Sequence, residues 1–346
     1  MPTHVINVPA TSANIGPGFD VMGLSLSLYL TVTAHADASN TSGEITLVYE
    51  GENSSGLPLD PQDNLITSTA LYVLACNGHT QFPLATRVCV NNRIPLGRGL
   101  GSSGAAVVAG VLLANVVGGL GLPQQRMLDY CLMIEHHPDN VAAALVGGFV
   151  ASYLIDVSRP GGIPASESVR QRELDAKAAD SSLELPPENI GHFVKLGCSS
   201  RIRAIAIIPQ FELATSKARA ALPETYVTKD VVFNLQRLAV LTTALGREQP
   251  DPWLIFRAMA DKVHQPYRMH LVPGLPEILR SLDPDNTPGL LGICLSGAGP
   301  TILALAVANF DTIAGKIRDI FTRHNVDTVY QVLDIVADGA TCESSD

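Results

Sequence analysis

Residues 95–104, with the sequence PLGRGLGSSG, are the part of this chain best suited to bind an anionic ligand. Four glycines fall within eight residues, a β-prone run (86–90) precedes them, and an apolar run from residue 105 predicts a helix after them. Glycine lets backbone N–H groups close on an anion, and the helix adds its dipole and its unpaired donors. The segment therefore predicts a polyphosphate-binding loop; the alternative is a tight turn before a core helix.

Two common phosphate-binding motifs do not fit this loop. A nucleotide triphosphatase P-loop has a lysine directly after its last glycine, and no lysine follows here. Residues 99–104 match G-x-G-x-x-G, but a dinucleotide-binding fold needs an acidic residue about 20 positions later. That region reads GLPQQ (121–125), which is typical of a helix linker. The Rossmann interpretation is therefore weak.

Three further segments combine glycine or proline with polar side chains. They read VPATSANIGPGFDVMGL (8–24), EHHPDNVAAA (135–144) and LSGAGPTI (295–302). Together with the glycine loop, these segments resemble the GHMP kinases and, among them, the homoserine kinases. Shorter matches at residues 215–223 and 265–273 extend the resemblance from residue 5 to about residue 305, in the order that the family shows.

The resemblance implies an α+β chain with the GHMP kinase fold. An N-terminal α/β half of the ribosomal-protein-S5-like type is expected before a C-terminal ferredoxin-like α/β half, and mixed strand–helix alternation favours the same class. We predict an ATP-binding domain over residues 1–158 and a C-terminal domain over residues 189–346. The segment 159–188, rich in Pro, Gly, Ser and charges, predicts an exposed insertion with a short helix near 166–178.

The implied phosphoryl donor is ATP, with the polyphosphate held by the glycine loop. Asn64 is expected to contact the adenosine by resemblance, although it also stands where a helix over residues 64–76 needs its cap. The predicted ATP-binding residues are Asn64, Pro95, Gly97, Arg98, Gly99, Leu100, Gly101, Ser102, Ser103 and Gly104.

The implied metal is Mg²⁺, which prefers oxygen ligands and keeps several waters. Either Ser102 or Ser103 would offer a hydroxyl, and we expect Ser103 to be the ligand. Glu135 is the expected carboxylate because it directly precedes the H-x-D-N element. Asp129 is the alternative, since some family members carry this carboxylate eleven residues before the motif's asparagine.

The implied acceptor is L-homoserine, a zwitterion with a terminal hydroxyl group. Its carboxylate calls for guanidinium groups, which pair with carboxylates in a bidentate manner. Its ammonium group calls for carboxylate and amide oxygens. The predicted substrate-binding residues are Asn14, Asp20, His137, Asp139, Arg219, Arg268 and Gly297.

The predicted catalytic residues are Asn140 and Asp20. Many GHMP kinases carry an aspartate that can deprotonate the acceptor, whereas the corresponding motif here ends in Asn140, and an amide is no general base at neutral pH. We therefore expect Asn140 to donate a hydrogen bond to the transferring group, with Asp20 as a possible proton acceptor. The alternatives are a GHMP kinase for mevalonate or shikimate, and a regulatory relative that has lost activity.

Composition narrows the classes of partner. The formal net charge is −10 and no basic cluster is present, which argues against nucleic acid. Residues 104–122 are apolar enough to suggest a membrane span, but their glycines and the preceding loop favour a buried helix. The six cysteines lack C-x-x-C spacing, and no signal peptide is evident, so we expect reduced thiols and a cytoplasmic location. The resemblance implies a homodimer.

Overall fold

The computed structural model describes residues 2–51, 56–155 and 185–345. The strands of this part of the chain are β1 (Thr3–Ala13), β2 (Met22–Asp37), β3 (Ile45–Glu50), β4 (Ala85–Asn92), β5 (Phe149–Leu154), β6 (Gly191–Leu196), β7 (Arg203–Pro209), β8 (Leu290–Leu295), β9 (Ile302–Ala306), β10 (Thr328–Asp334) and β11 (Thr341–Ser345). Its helices are α1 (Leu65–Cys76), α2 (Ser102–Val117), α3 (Gln124–Glu135), α4 (Pro138–Val146), α5 (Thr215–Ala220), α6 (Thr228–Ala244), α7 (Pro252–Ala258), α8 (Gln265–Arg268), α9 (Leu275–Ser281) and α10 (Phe310–Arg323), with a 3₁₀ turn over Met269–Leu271.

The strands form two sheets. The first has the order β11-β1-β2-β4-β3, and β5 extends it by pairing with β2 and β6. The second is antiparallel, with the order β10-β7-β9-β8. Two sheets with helices packed against them confirm the predicted α+β class. The predicted insertion over 159–188, with its helix at 166–178, lies largely outside the described residues.

The long hairpin of β1 and β2 is the centre of the first sheet. From Leu28 onward the side chains of β2 alternate between buried and half-buried positions, as the twofold repeat of a strand requires. The polar faces therefore read as Ser and Thr, while Leu and Val fill the core. This alternation is the signal by which the sequence predicts a strand over residues 24–34.

Helix α2 is buried along most of its length, in keeping with its apolar sequence. Gly110 permits close packing on α1, because a Cβ atom there would lie 2.5 Å from the carbonyl oxygen of Ile66. The apolar run 104–122 thus belongs to a buried helix of 16 residues. No helix of the described residues has both the length and the apolar character that crossing a membrane requires.

The C-terminal residues return to the first sheet. After β10, the backbone N–H of Val336 donates to Ser25 O, and that of Ala340 donates to Ala144 O at the end of α4. Strand β11 then pairs antiparallel with β1. β6 and β11 therefore lie in the first sheet although both follow residue 189, the predicted start of the C-terminal domain.

Candidate active site

A cleft of about 620 Å³ opens between the glycine loop and the helical side of the second sheet. Its floor is the N-terminal end of α2, and the two walls come from the α3–α4 junction and from α5. The residues that line it are Asp20, Gly97, Arg98, Gly99, Gly101, Ser102, Ser103, Gly104, Ile134, Glu135, His136, His137, Asn140, Leu213, Thr215, Ser216, Arg219, Gly297 and Ala298. Most of the residues predicted to bind ATP or substrate are thus brought to one cavity.

A second cavity, of about 710 Å³, lies around α9 and the end of α10. Its lining includes Glu277, Arg280 and His324 but none of the predicted site residues. We therefore place the candidate active site in the cleft at the glycine loop.

The carbonyl groups of residues 97–101 in the glycine loop all have partners. Gly97 O accepts from Leu213 N at 3.0 Å, Arg98 O from Thr301 N at 3.3 Å, and Leu100 O from Thr11 N at 3.1 Å. Gly99 O accepts from the Ser296 hydroxyl at 2.6 Å, and Gly101 O from Ala105 N at 2.8 Å. These bonds turn the oxygens of the loop away from a ligand in the cleft.

The backbone N–H groups of the same loop, in contrast to its carbonyl groups, are not hydrogen-bonded within the described part of the chain. Among the described residues, no acceptor takes a hydrogen bond from the backbone N–H groups of residues 97–104. The last three belong to the first turn of α2, whose N-cap, Gly101, has no side chain with which to satisfy them. A row of free donors at a helix N-terminus, with the oxygens already engaged, suits an anion with several oxygens.

Two of the loop glycines are required by their surroundings. Gly99 and Gly101 have φ of 76° and 71°, in the left-handed region that side chains disfavour. A Cβ atom on Gly99 would lie 2.4 Å from Ser296 O, and one on Gly101 would lie 1.9 Å from Thr11 Oγ1. The backbone can follow this path only with glycine at these positions.

Glu135 and Ser103 meet at the mouth of the cleft. The Ser103 hydroxyl donates a short hydrogen bond to Glu135 Oε1, and both residues line the cavity. The pair brings together a carboxylate from the end of α3 and a hydroxyl from the first turn of α2. Two hard oxygen donors are therefore available beside the free amides.

Asp129 points elsewhere. It is buried, and its carboxylate accepts from Asn189 N and Ile190 N at 3.0 Å each and from Arg126 at 3.2 Å. These bonds fix the start of β6 on α3, and Asp129 does not line the cleft. Of the two carboxylates that the sequence leaves as alternatives, Glu135 alone faces the cavity.

His137 lies among carboxylates at the start of α4. Its Nδ1 is 3.6 Å from Asp139 Oδ1, and its Nε2 is 3.9 Å from Glu135 Oε2. Burial by itself lowers the pKa of His137, but the carboxylates outweigh this effect and raise the pKa to about 9, in the order Asp139, Glu135, Asp20. The imidazole is therefore a cation at neutral pH, on the wall of the cleft where negative charge is concentrated.

Asp20 and Arg219 pair across the cleft. The two carboxylate oxygens accept from Nη1 and Nη2 of Arg219 at 2.9 Å each, a bidentate arrangement. Both side chains remain partly exposed, and the guanidinium lies 5.5 Å from the ring of Phe19. The predicted binding groups for the substrate's ammonium and carboxylate are thus hydrogen-bonded to each other.

Arg268 and Asn14 lie behind the cleft wall. Buried Arg268 donates to Ala218 O at 3.1 Å and to Gly297 O at 3.2 Å. Buried Asn14 donates to Gly297 O at 2.9 Å and accepts from Asp20 N at 3.0 Å. Neither lines the cavity, so the contacts that they make support Gly297, Asp20 and α5.

Asn140 and Asp139 stand in the first turn of α4. Asn140 lines the cleft, whereas Asp139 is buried and accepts from Asn140 N at 2.9 Å. The motif therefore presents its amide to the cavity and uses its carboxylate partly to stabilise the helix start.

Asn64 is fully used by the protein itself. Its Oδ1 accepts from Ile66 N at 3.1 Å, which caps α1, and its Nδ2 donates to Tyr49 and to Pro58 O. It does not line the cleft, and neither does Pro95 or Leu100. The helix cap, which the sequence left open as an alternative, is the role that these contacts give to Asn64.

Several lining residues were missed by reasoning from sequence. Leu213, Thr215 and Ser216 face the glycine loop from the second half of the chain. For Thr215 and Ser216, the only sequence signal is their position a few residues before the predicted Arg219. Their approach to the loop depends on the long-range bond between Leu213 N and Gly97 O, which no local pattern encodes.

Comparisons with known proteins agree with this geometry. A family model described as the GHMP kinases N terminal domain matches residues 64–148. A homoserine kinase of Schizosaccharomyces pombe is 53% identical over 336 residues, which cover 97% of each chain. A homoserine kinase of Saccharomyces cerevisiae is 51% identical, with 98% of each chain covered.

Solved structures of a homoserine kinase and of a mevalonate kinase are also similar to this chain. A homoserine kinase of Cytophaga hutchinsonii superposes with a TM-score of 0.76 at 26% identity, covering 99% of this chain and 97% of its own. A mevalonate kinase superposes with a TM-score of 0.62 at 12% identity, covering 96% of this chain and 99% of its own. The second likeness concerns the fold alone.

Proposed function

Because this chain belongs to the homoserine kinase family of the GHMP kinases, we propose that its cleft transfers the γ-phosphoryl group of ATP to the hydroxyl of L-homoserine. The products are ADP and O-phospho-L-homoserine, the latter on the route to threonine. The single observation that carries this assignment is the row of free amides over residues 97–104, whose neighbouring carbonyls are engaged by the protein. Such a row supports a role in holding the polyphosphate of the nucleotide.

The nucleotide phosphates would be held by the loop backbone and by the first turn of α2. The chain as a whole is acidic, with a net charge of −10, so the positive field has to be local. The amide donors, the helix dipole and Arg98 in the same loop supply it. The role of Asn64 at the adenosine stays a prediction from family resemblance.

We propose Glu135 and Ser103 as the protein ligands of Mg²⁺. The described residues hold no group of three or more His, Cys, Asp or Glu side chains arranged for a metal. One carboxylate and one hydroxyl nevertheless fit Mg²⁺, which commonly takes one or two protein oxygens and completes its shell with water and phosphate. When bound, the ion would neutralise charge on the phosphoryl oxygens. The geometry favours Glu135 over Asp129, because Asp129 is turned toward β6.

The acceptor would be recognised through both of its charges. Homoserine brings a carboxylate for Arg219 and an ammonium group for Asp20, so it can satisfy both partners of the Asp20–Arg219 pair as that pair opens. Asp139, buried beside Asn140 and absent from the cleft lining, would favour the ammonium group through its charge, and direct contact with it stays a prediction. Mevalonate and shikimate carry a carboxylate but no ammonium group, and would leave the acidic side without a partner. Arg268, Asn14 and Gly297 would position these groups from behind.

Transfer in this cleft would depend on orientation and on charge stabilisation. Asn140 would donate a hydrogen bond to the transferring phosphoryl group, and His137 would line the same wall of the cleft. Asp20, once released from Arg219, would accept the hydroxyl proton. Replacing Asn140 by Ala should then lower kcat far more than it raises KM, and a near-normal kcat would contradict the role.

The assay that tests the function compares acceptors side by side. ADP release is measured with L-homoserine, mevalonate and shikimate at equal concentrations of enzyme and Mg-ATP. Activity with homoserine alone supports the proposal, activity with another acceptor reassigns the substrate, and no activity with any of them favours a regulatory relative. The homodimer and the cytoplasmic location stay predictions, and sedimentation of the purified chain tests the former.

A further inference from the structure

Thr11 connects the two parts of the cleft that have to act together. It is buried on β1, in the motif that resembles the family's N-terminal segment. Its backbone N–H donates to Leu100 O in the glycine loop at 3.1 Å. Its hydroxyl donates to Oδ1 of Asn140 at 2.8 Å. One residue thus contacts the nucleotide loop through its backbone and the first turn of α4 through its side chain.

The direction of the second hydrogen bond matters. An asparagine amide can turn over and exchange its oxygen and nitrogen with little change in shape. With Oδ1 toward Thr11, the hydroxyl has its acceptor. In the opposite orientation Nδ2 would face Thr11, and the proton of a fully buried hydroxyl would have no acceptor, which is costly. Thr11 therefore selects one of the two orientations of Asn140.

The selected orientation leaves Nδ2 of Asn140 as the group available to a ligand. Its contact within the protein is a long one, 3.5 Å to Asp139 Oδ1. Phosphoryl oxygens only accept hydrogen bonds, so an NH₂ group turned toward them attracts, whereas a carbonyl oxygen in its place would repel. We propose, on the premise of the kinase function above, that Thr11 is a positioning residue that fixes the amide of Asn140 with its donor toward the transferring phosphoryl group.

The glycine loop protects this contact. A Cβ atom on Gly101 would lie 1.9 Å from Thr11 Oγ1 and 3.0 Å from Asn140 Oδ1. Glycine at position 101 thus serves a second purpose beyond its backbone conformation, because it leaves the room in which the hydroxyl and the amide meet. The hydrogen bond between Thr11 and Asn140 lies directly beside the N-cap of α2.

The test separates the hydroxyl from the shape of the side chain. Thr11→Val keeps the volume and removes the hydroxyl, whereas Thr11→Ser keeps the hydroxyl and removes a methyl group. We expect Thr11→Val to lower kcat about tenfold, because only the long contact with Asp139 then holds the orientation of the Asn140 amide, with smaller changes in the KM for ATP and for homoserine. Thr11→Ser should retain kcat within about twofold of the parent enzyme.

A double-mutant cycle distinguishes positioning from a general structural role. In an Asn140→Ala background there is no amide to orient, so Thr11→Val should have almost no further effect on the residual kcat. An equal loss in both backgrounds, or a normal kcat for Thr11→Val in the otherwise intact enzyme, overturns the proposal. So does a loss of folding in both Thr11→Val and Thr11→Ala, measured by thermal melting, since the hydroxyl would then act on stability. An inactive parent enzyme would instead refute the kinase function itself.

Discussion

The chain contains two glycine turns that look alike in sequence and differ in their free backbone groups. In the loop over residues 97–104 the carbonyls are engaged and the amides are free. In the turn over residues 296–300 most of the amides are used. Ser296 N donates to Thr301 O at 2.9 Å, Gly297 N to Ala13 O at 3.1 Å and Gly299 N to Ser296 O at 2.8 Å, and in the described part of the chain only Ala298 N has no acceptor. Gly297 O, in turn, accepts from Asn14 and Arg268.

The difference separates a ligand-binding turn from a supporting one. Ser296 belongs to the second turn, and its hydroxyl holds Gly99 O of the first. Ser12 from β1 donates to that same hydroxyl at 2.8 Å. A high glycine content therefore indicates that the backbone closely approaches another group. The hydrogen-bond partners show whether that group is a ligand or another part of the chain.

The largest effect should come from adding a methyl group to the first turn. In Gly101→Ala the new Cβ would overlap Thr11 Oγ1, and the left-handed φ of 71° alone costs about 1–2 kcal/mol. We expect kcat/KM for ATP to fall by about a hundredfold or more, because several amide donors are displaced together. Steady-state kinetics with ATP varied measures it.

Gly297→Ala is the matched control in the second turn. Its φ of 55° is also left-handed, but the nearest atom to a new Cβ is 3.5 Å away. The cost should be limited to about 1 kcal/mol of backbone strain and a few-fold change in kinetics. Equal losses in the two variants would break the distinction between the turns.

The next effect concerns the proposed Mg²⁺ site beside the first turn. Glu135→Gln should raise the Mg²⁺ concentration for half-maximal activity at least about tenfold, because the amide replaces the anionic partner of Ser103. Asp129→Asn is the control, since its carboxylate holds backbone amides at β6. That variant should lose about 1–3 kcal/mol of unfolding free energy and keep its Mg²⁺ requirement. The reverse pattern would assign the metal to Asp129.

A smaller effect is expected when the hydrogen bond between the second turn and the first is removed. Ser296→Ala removes the donor to Gly99 O, and we expect the KM for ATP to rise about fivefold, equivalent to about 1 kcal/mol. Ser25→Ala is the control. That buried serine donates to Ala143 O at 2.7 Å and does not line the cleft. An unchanged KM in Ser296→Ala would mean that the loop keeps its shape without the supporting turn.

The smallest effect depends on pH and acts behind the second turn. Arg268 donates to Nδ1 of His264 at 3.3 Å, so the proton of the neutral ring lies on Nε2, 2.8 Å from Gly16 O. Burial, partly offset by Asp261, lowers the pKa of His264. The stability that results is present above the unfolded pKa of about 6.5 and is lost as pH falls below it, because only the unfolded chain takes up the proton.

We therefore expect the unfolding free energy to fall between pH 7.5 and 5.5 less steeply in His264→Gln than in the parent chain. The difference should be at most about 1.4 kcal/mol per pH unit. Urea titrations at the two pH values measure it. Identical slopes would show that His264 takes up its proton over the same pH range in the folded and unfolded chains, and the link to Arg268 would have to be redrawn.

The sequence predicts best those features that are encoded locally. The sequence predicts a helix over about Gln124–Glu135, and α3 has these bounds. The glycine loop lies between a strand and a helix, as expected. β11 was missed because TCESS has no apolar alternation, and its strand exists only through pairing with β1. Helix α4 was missed because its start was considered only as a motif.

In the candidate site, too, the sequence predicts what is encoded locally and not what depends on tertiary contacts. Residue types indicated the nucleotide loop and the charged groups, but not which of Glu135 and Asp129 faces the cleft, because both lie on α3 and only tertiary contacts distinguish them. Arg268 donates to Gly297 O from a buried position outside the cleft lining, and its predicted contact with the substrate stays a prediction. An arginine is chosen for its bidentate geometry in either case, so its type alone cannot tell a ligand contact from a backbone contact.

The pairing of β11 with β1 has a consequence for biosynthesis. Strand β1 receives its outer neighbour only after residue 345 has been translated, since Thr3 pairs with Ser345 and Asn7 with Thr341. Until then the nascent polypeptide carries an open sheet edge, the kind of surface that recruits other extended chains. A chaperone that shields this edge should therefore be needed until residues 341–345 have emerged and paired with β1.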